Sequence, residues 1–305
     1  MEHLLLPGDW VEVRSAPEIL ATLDEHHALD GLPFMPEMLP ACGRRFRVAM
    51  RAERACVHPP QVPLRRLAGT VVLERQRCDG AAHGGCQLGC ATLWKERWLR
   101  RVDGPGEAVA ARAAAPARST PVALRVRRAD DPARWTCQAT ELPGATSPGD
   151  PLWRPGQWVH FLRVKTFTPA ELLGMWARIG LRRAGRALRG APGAAPRGAP
   201  APGPHALEPG EWVEVKGLGE IERTLDARRM HRGLPFSGEM AVFCGRRLRV
   251  ARRVDRILDE RTGRLRDVRD TVVLEGVACD RYLGCARAMP LLWREAWLRR
   301  AAGEA

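Results

Sequence analysis

The sequence predicts a mainly β protein with some α: two copies of a small, SH3-like β-barrel-type domain joined by a linker and a central amphipathic helix. Three observations predict it. The chain repeats itself. Its apolar runs are short, β-branched and partly alternating. Its 30 Gly and 25 Pro concentrate in turns and linkers. Pro7 to Arg54 aligns without gaps on Pro209 to Arg256 with more than half the positions identical. Thr70 to Asp79 aligns on Thr271 to Asp280, and Trp94 to Arg101 on Trp293 to Arg300. Repetition of this kind marks one folding unit duplicated. Residues 7–102 are therefore read as a first cysteine-containing β domain and 209–301 as a second.

In chain order, Pro7-Gly8 is a turn signal before the strand Trp10-Val11-Glu12-Val13. Ser15-Ala16-Pro17-Glu18 is a capping box opening a short helix, Ile19 to Leu23. The second copy has Gly217 at that cap, a weaker start. Arg45-Phe46-Arg47-Val48 and Thr70-Val71-Val72-Leu73-Glu74 read as strands. Leu93 to Arg101 and its counterpart close each domain as a strand or a helical turn, which periodicity leaves open. Residues 103–121, rich in Ala, Pro and Gly, read as linker. Residues 122–189 form a connecting segment whose first part, with Trp135, Cys137, Trp153 and Trp158, is expected to extend the first domain. Thr168-Pro169-Ala170-Glu171 opens a helix over about 169–188. That helix carries Leu172, Leu173, Trp176 and Ile179 on one face and a basic end from Arg178 to Arg189. Residues 190–206 are a Pro/Gly/Ala linker unable to bury a core.

Hydrophobic residues make up 45% and charged residues 28% of the chain, which excludes a wholly disordered or collagen-like protein. No apolar run reaches the length of a membrane span. The net charge of +14 raises the question of nucleic acid. Of the 49 basic residues all but Lys95, Lys165 and Lys216 are Arg, and they are scattered rather than gathered in one stripe. A solvated Arg-rich surface is favoured over a dedicated polyanion site. Met1 to Gly8 has no basic n-region, long apolar h-region or small-residue cleavage site. The cytoplasm is the expected location, where stable disulfides are rare. Nine cysteines there need another explanation.

Copy one carries Cys42, Cys78, Cys86 and Cys90. Copy two carries Cys244, Cys279 and Cys285 in the places of Cys42, Cys78 and, across a two-residue deletion, Cys86; Met289 stands where Cys90 would be. Thiolates are soft, charged ligands: four placed tetrahedrally satisfy Zn2+, and four hold an iron–sulfur cluster. Glycines within Cys78-Asp79-Gly80-Ala81-Ala82-His83-Gly84-Gly85-Cys86-Gln87-Leu88-Gly89-Cys90 permit positive φ and close backbone approach. His83 can replace one thiolate or support another. Metal ligation is therefore expected at Cys42, Cys78, Cys86, Cys90 and His83, and again at Cys244, Cys279 and Cys285, where the missing fourth thiol leaves either a degenerate, metal-free site or an open position filled by Asp280, His231, water or substrate. The spacing is not the CxxC of a zinc finger. Zn2+ is the simpler cofactor and an iron–sulfur cluster the alternative. Buried structural thiols and a Cys86/Cys90 redox pair are the competing readings. Cys56 and Cys137, unmatched in the other copy, read as small buried hydrophobes.

Asp24, Glu37 and Glu74 recur as Asp226, Glu239 and Glu275, a pattern more common for caps, turns and Arg partners than for acid–base chemistry. His26-His27 becomes Arg228-Arg229, so no catalytic His is duplicated. Trp94/Trp98 and Trp293/Trp297 read as core rather than as platforms for bases. The chain contains no Gly-rich phosphate loop, nucleophile elbow or two-histidine zinc-protease motif.

Gly-Leu-Pro-Phe-x-x-Glu-Met with Cys-Gly, followed by Cys-Asp-Gly, His-Gly-Gly-Cys-Gln and Trp-Lys-Glu-x-Trp-Leu-Arg-Arg, resembles an uncharacterised bacterial family of tandem-repeat, cysteine-containing, β-rich (SH3-like) proteins. The resemblance covers nearly the whole chain, including Cys137-Gln138-Ala139-Thr140-Glu141-Leu142. It implies that the repeat is real and that Cys137 is not incidental. It implies no reaction, cofactor or partner. The function expected is a cytoplasmic metal-binding accessory or scaffold protein whose domains bind a protein partner or an anionic ligand. The alternative is an iron–sulfur or thiol redox enzyme. Nucleic-acid binding through Arg178–Arg189 and the Trp-Arg edges is weaker.

Overall fold

The structure, a computed structural model, describes residues 4–57, 64–105, 124–151, 153–177, 180, 206–279 and 282–301. The protein is mainly β with some α, and two similar five-stranded sheets carry its two repeats. The chain divides into two units. The first is Met1–Leu173 with Leu258–Leu265 and Arg281–Arg287, and the second is Gly174–Ile257, Arg266–Asp280 and Ala288–Ala305. Two short segments of the second repeat thus belong to the first unit. The expected linkers at 103–121 and 190–206 and the basic helix end at 178–189 lie outside the described residues, except for 103–105, 180 and 206.

In the first unit the strands are β1 (Trp10–Val13), β2 (Ala28–Leu29), β3 (Leu32–Pro33), β4 (Arg45–Arg51), β5 (Arg54–Ala55), β6 (Arg65–Arg66), β7 (Thr70–Arg77), β8 (Ala91–Lys95) and β9 (Leu99–Val102). The helices are α1 (Ala16–Leu20), α2 (Gln138–Ala145) and α3 (Pro155–Arg163). The main sheet is antiparallel in the order β8-β7-β4-β1-β9, with β2–β3 and β5–β6 as separate small hairpins. β1 alternates as its sequence suggests, with Val11 and Val13 fully buried beside half-exposed Trp10 and Glu12. Register shifts between Val48 and Met50 and between Val72 and Arg77 mark bulges, which bend strands and increase their twist. Arg75 takes up the second bulge at φ +59°, and glycine occupies the matching position in the other copy, Gly276 at φ +68°.

The closing segment is neither strand nor helical turn alone. β8 runs into a 3-10 turn, Glu96–Trp98, and then into β9. This path turns Trp94 and Trp98 wholly inward, where Phe34 meets their rings edge-on at 6.2 and 5.3 Å. Trp98 Nε1–H donates to Thr22 Oγ1 at 3.1 Å. Helix α1 starts earlier than expected, directly after Ser15. The Glu18 carboxylate accepts both the Ser15 N–H (2.9 Å) and the Ser15 hydroxyl (2.6 Å), so the cap and not the apolar run sets the start.

The described part of the connecting segment up to Leu173 lies in the first unit. Buried Gln138 of α2 treats the edge strand β8 as a partner: its Oε1 accepts the Leu93 N–H at 2.8 Å and its Nε2 donates to the Leu93 carbonyl at 2.8 Å. An exposed sheet edge is thereby covered. Residues 169–177 form the next helix, α4, with Met175 buried, Leu173 72% exposed and Trp176 37% exposed. The buried side is therefore centred on Met175 and not on the Leu173–Trp176 face expected from spacing.

The second unit's sheet has strands β10 (Trp212–Val215), β13 (Arg247–Arg253), β16 (Thr271–Ala278), β17 (Pro290–Arg294) and β18 (Leu298–Arg300) in the order β17-β16-β13-β10-β18. Helix α5 (Leu218–Glu222) and the short strands β11 (Met230–His231), β12 (Leu234–Pro235), β14 (Arg256–Asp259) and β15 (Arg264–Asp267) complete the second copy. Its registers and core repeat those of the first sheet. Trp212 pairs with Arg249 as Trp10 does with Arg47, and Phe236 meets Trp297 at 5.3 Å.

Candidate metal centre

The β7–β8 connection builds the site. Cys78 follows β7, and its N–H donates to the Cys90 carbonyl at 2.9 Å, which closes the base of the loop. The Asp79 carboxylate accepts the Ala81 N–H at 2.9 Å, and a 3-10 turn over Ala81–His83 swings His83 back beneath it. Gly80 makes the fold-back possible. It sits at φ +73°, and a Cβ there would overlap the Cys86 carbonyl.

His83 is the centre of the arrangement. Its Nε2 lies 3.6 Å from Cys78 Sγ, and its Nδ1 lies 2.8 Å from Glu37 Oε1. Cys78 Sγ is also 3.9 Å from Glu37 Oε1. The side chains of His83 and Glu37 are only 3% and 4% exposed. The Nδ1–Glu37 approach is an ion-pair contact without hydrogen-bond alignment, so Nδ1 and Glu37 Oε2 are both buried with no hydrogen-bond partner. Buried polar atoms without an aligned partner are costly. Glu37, Cys78 and His83 form the one group of three ligating side chains with atoms within 4.8 Å of one another among the described residues.

A cavity of about 40 Å³ opens beside them, lined by Glu37, Cys78, His83, Cys86, Cys90 and Cys137 together with Glu260 and Arg287. Cys86 is buried, and its sulfur accepts the Leu258 N–H at 3.2 Å. Burial opposes ionisation of Cys86, but His83 and the backbone N–H groups of Leu88 and Leu258 outweigh it and lower its pKa. Burial also opposes charge on Glu37 and His83. Their mutual contact holds the Glu37 carboxyl below its usual range, and Cys78, Cys86 and Glu37 together raise His83 well above an ordinary imidazole. Burial pushes the Cys137 thiol up to about 11 and also raises Cys90. Cysteine, histidine and carboxylate side chains arranged in this order suit a soft divalent cation, whose binding would displace their protons. The same order would also activate a thiol nucleophile.

Of the residues expected as ligands, Cys78, His83, Cys86 and Cys90 come to one cavity. Cys42 does not line it. Cys42 ends the turn Pro36–Ala41, and the next residue, Gly43, donates its N–H to Val13 in β1 at 2.8 Å, away from the β7–β8 end of the sheet. Burial raises the Cys42 thiol to about 11. The same turn supplies Glu37 instead. That recurrent glutamate was legible in Gly-Leu-Pro-Phe-x-x-Glu-Met, although its type alone suggests a cap or an Arg partner.

Copy two assembles no equivalent among the described residues. Cys244 and Cys279 belong to the second unit, and Cys285 to the first. Cys279 keeps the loop-base bond, N–H to the Met289 carbonyl at 2.8 Å, but the deletion removes the histidine. His231 is a core residue, with Nδ1 2.9 Å from the Thr224 carbonyl and its ring edge-on to Trp297, and Asp280 lies outside the described residues. Cys137 is buried, as expected of a packing residue, whereas Cys56 is only partly buried. Cys137 lines the cavity, and Cys56 lies 3.5 Å from Cys285.

A second hollow, about 460 Å³, is lined by Arg125, Arg127 and Arg128 but also by Asp24, Asp130 and Glu141, so its charge selects no anion. No described helix is long and apolar enough to cross a membrane. No family model, curated protein or solved structure matches this chain.

Proposed function

We propose that the chain is a cytoplasmic metal-binding accessory or scaffold protein, built on a duplicated SH3-like β domain and holding one zinc ion in its first unit. Cys78 and His83 are the ligands already at bonding separation, and Cys86 and Cys90, which line the same cavity, would close in to complete a three-thiolate, one-imidazole set. Glu37 Oε1, 2.8 Å from Nδ1, is close enough to orient the ring with Nε2 toward the metal once the contact aligns as a hydrogen bond, the usual role of a carboxylate behind a zinc-bound histidine. The observation that carries this reading is the buried Glu37–His83–Cys78 cluster, whose ligating atoms lie within 4.8 Å of one another. Zn–S and Zn–N bonds at a tetrahedral angle put sulfur and nitrogen roughly 3.5–3.6 Å apart, and Cys78 Sγ and His83 Nε2 are 3.6 Å apart. The metal staples a thin core. Its partner is a protein or an anionic ligand, the latter compatible with the net charge of +14 although the arginines are scattered. Nucleic acid is the weaker choice, because Trp94, Trp98, Trp293 and Trp297 are fully buried and offer no face to a base.

A second reading, an iron–sulfur or thiol redox centre, is favoured by four thiols on one cavity: Cys78, Cys86, Cys90 and Cys137. Elemental analysis of protein purified anaerobically without an affinity metal separates the two. About one zinc per chain, lost in Cys78→Ser and His83→Ala, is expected. Iron with sulfide and visible colour supports the cluster instead. Metal-free protein whose Cys78 is rapidly alkylated as isolated overturns the metal reading and leaves the thiol.

A further inference from the structure

Outside the cavity, the densest chemistry lies where residues 54–56 meet the segment Arg281–Arg287 of the same unit. Arg54 bridges Cys285, the Ala286 N–H donates to the Arg54 carbonyl at 2.9 Å, and the Cys56 N–H donates to Cys285 Sγ at 3.4 Å. The duplication contains the same contact once more. Leu258, the counterpart of Cys56, donates its N–H to the sulfur of Cys86, the counterpart of Cys285. One member of the pair therefore sets leucine against a thiol, and the other sets a thiol against a thiol. The backbone frame needs no second sulfur, since its sister contact forms without one.

The second sulfur also sits in a particular environment. Cys56 Sγ and Cys285 Sγ are 3.5 Å apart and unbonded. Arg287, 6% exposed and clamped by the Glu260 carboxylate, reaches the Cys56 carbonyl at 3.3 Å and Cys56 Sγ at 3.9 Å. Cys56 keeps part of its surface exposed, while Cys285 is only 4% exposed. The Cys285 hydrogen bond, acting against burial and helped by Arg287, lowers the Cys56 thiol to about 6. Hydrogen bonding to Cys56 and burial raise Cys285. A partly exposed thiolate with a buried thiol in reach is the arrangement of a peroxidatic and a resolving cysteine.

We propose that Cys56 and Cys285 form a peroxide-sensing dithiol, in which Cys56 is oxidised first and Cys285 resolves it to a disulfide. The Cys56 thiolate attacks one oxygen of hydrogen peroxide. The O–O bond breaks, Cys56 becomes a sulfenic acid, and the hydroxide released is protonated to water. The Cys285 sulfur then attacks Cys56 sulfur; the S–S bond forms, the S–O bond breaks, and a second water leaves with the Cys285 proton. The dithiol loses two electrons and the peroxide gains them. In a reducing compartment such a bond is transient and serves as a signal.

The test uses the full chain, freed of reductant and treated with hydrogen peroxide at equimolar concentration. Remaining thiols are alkylated, and peptides are mapped by mass spectrometry without reduction. The expected result is a Cys56–Cys285 cross-linked peptide, the loss of two alkylatable thiols per chain, and recovery of both with dithiothreitol. Cys56→Leu, which copies the sister contact at Leu258, abolishes the cross-link while leaving the metal content and circular dichroism of the protein unchanged. The proposal is overturned if wild-type protein yields no Cys56–Cys285 peptide, if Cys56 stays alkylatable after the other thiols are consumed, or if thiol loss in Cys56→Leu matches the wild type. The wild-type map decides by itself should the variant fold poorly, and Cys285→Ser then serves to trap the Cys56 sulfenic acid for labelling.

Discussion

The two repeats share a fold and differ in a loop. Val11/Val13 and Val213/Val215, Phe34 and Phe236, and the paired tryptophans occupy matching places in matching sheets. Even the ion pair behind each closing turn recurs, Arg51–Glu96 and Arg253–Glu295, both at 2.6 Å. The β7–β8 loop of copy one is two residues longer than its counterpart and carries His83, whereas the shorter loop after β16 carries Cys285, which lies beside Cys56. Burial of an apolar face restrains the sheet everywhere at once. The proposed ligand site depends on a few side chains gathered about one loop, and the loop that is two residues shorter lacks the histidine. The duplication therefore separates what holds the domain together from what gives it chemistry.

The largest effect tests the shared part. Trp94→Ala and Trp293→Ala each empty a fully buried site and are expected to cost about 3–5 kcal/mol, equally in the two copies, in urea unfolding followed by tryptophan fluorescence. A clear inequality would mean that the cores are not equivalent. Next comes the part that differs. Removing the metal by a chelator is expected to lower the melting temperature of the first unit by the equivalent of about 3–4 kcal/mol, the linkage energy of a ligand present at several hundred to a thousand times its Kd, and to leave the second unit's transition in place. Calorimetry showing both transitions move together would remove the asymmetry.

The pH dependence of chelated protein sharpens the same contrast. Glu37 is depressed below its ordinary 4.5, so its contribution is complete above that value and disappears as pH falls through the folded pKa. His83 is raised above its ordinary 6.5, so its contribution is complete below that value and is lost as pH rises toward its folded pKa. Both are whole only between about 4.5 and 6.5. Urea midpoints measured across pH should show the acid limb flattened by Glu37→Gln; an unaltered limb would assign acid sensitivity to other carboxylates.

The smallest effect lies at the caps. Gly217 has the same extended conformation as Ser15 (φ −61° and −62°), and a Cβ there would meet only the Glu220 carboxylate, at 3.3 Å, the end of a side chain that the Gly217 N–H and Arg299 hold. Gly217→Ser should stabilise the second copy by about 0.5 kcal/mol, bringing it level with the first, through a cap hydroxyl and a less flexible unfolded chain. Thermal melts of the variant provide the check.

The duplication, the sheet-forming runs, the inward tryptophans and the Cys78–Cys90 loop were legible in the residues, because each depends on local pattern or on one stretch recurring in another. His83 was legible as a possible ligand for the same reason: it lies five residues from Cys78. What only the tertiary structure decided was which distant groups arrive beside it. Cys42 recurs in both copies yet turns toward β1, while Glu37, five residues earlier, reaches the imidazole. Cys56 is replaced by Leu258 in the other copy and reads as packing, yet it meets Cys285 across 229 positions of chain. Recurrence in a sequence reports that a residue is kept. Its neighbours depend on how the strands curl and where loops return, and those are settled by burying the whole core at once, a condition that no local spacing contains.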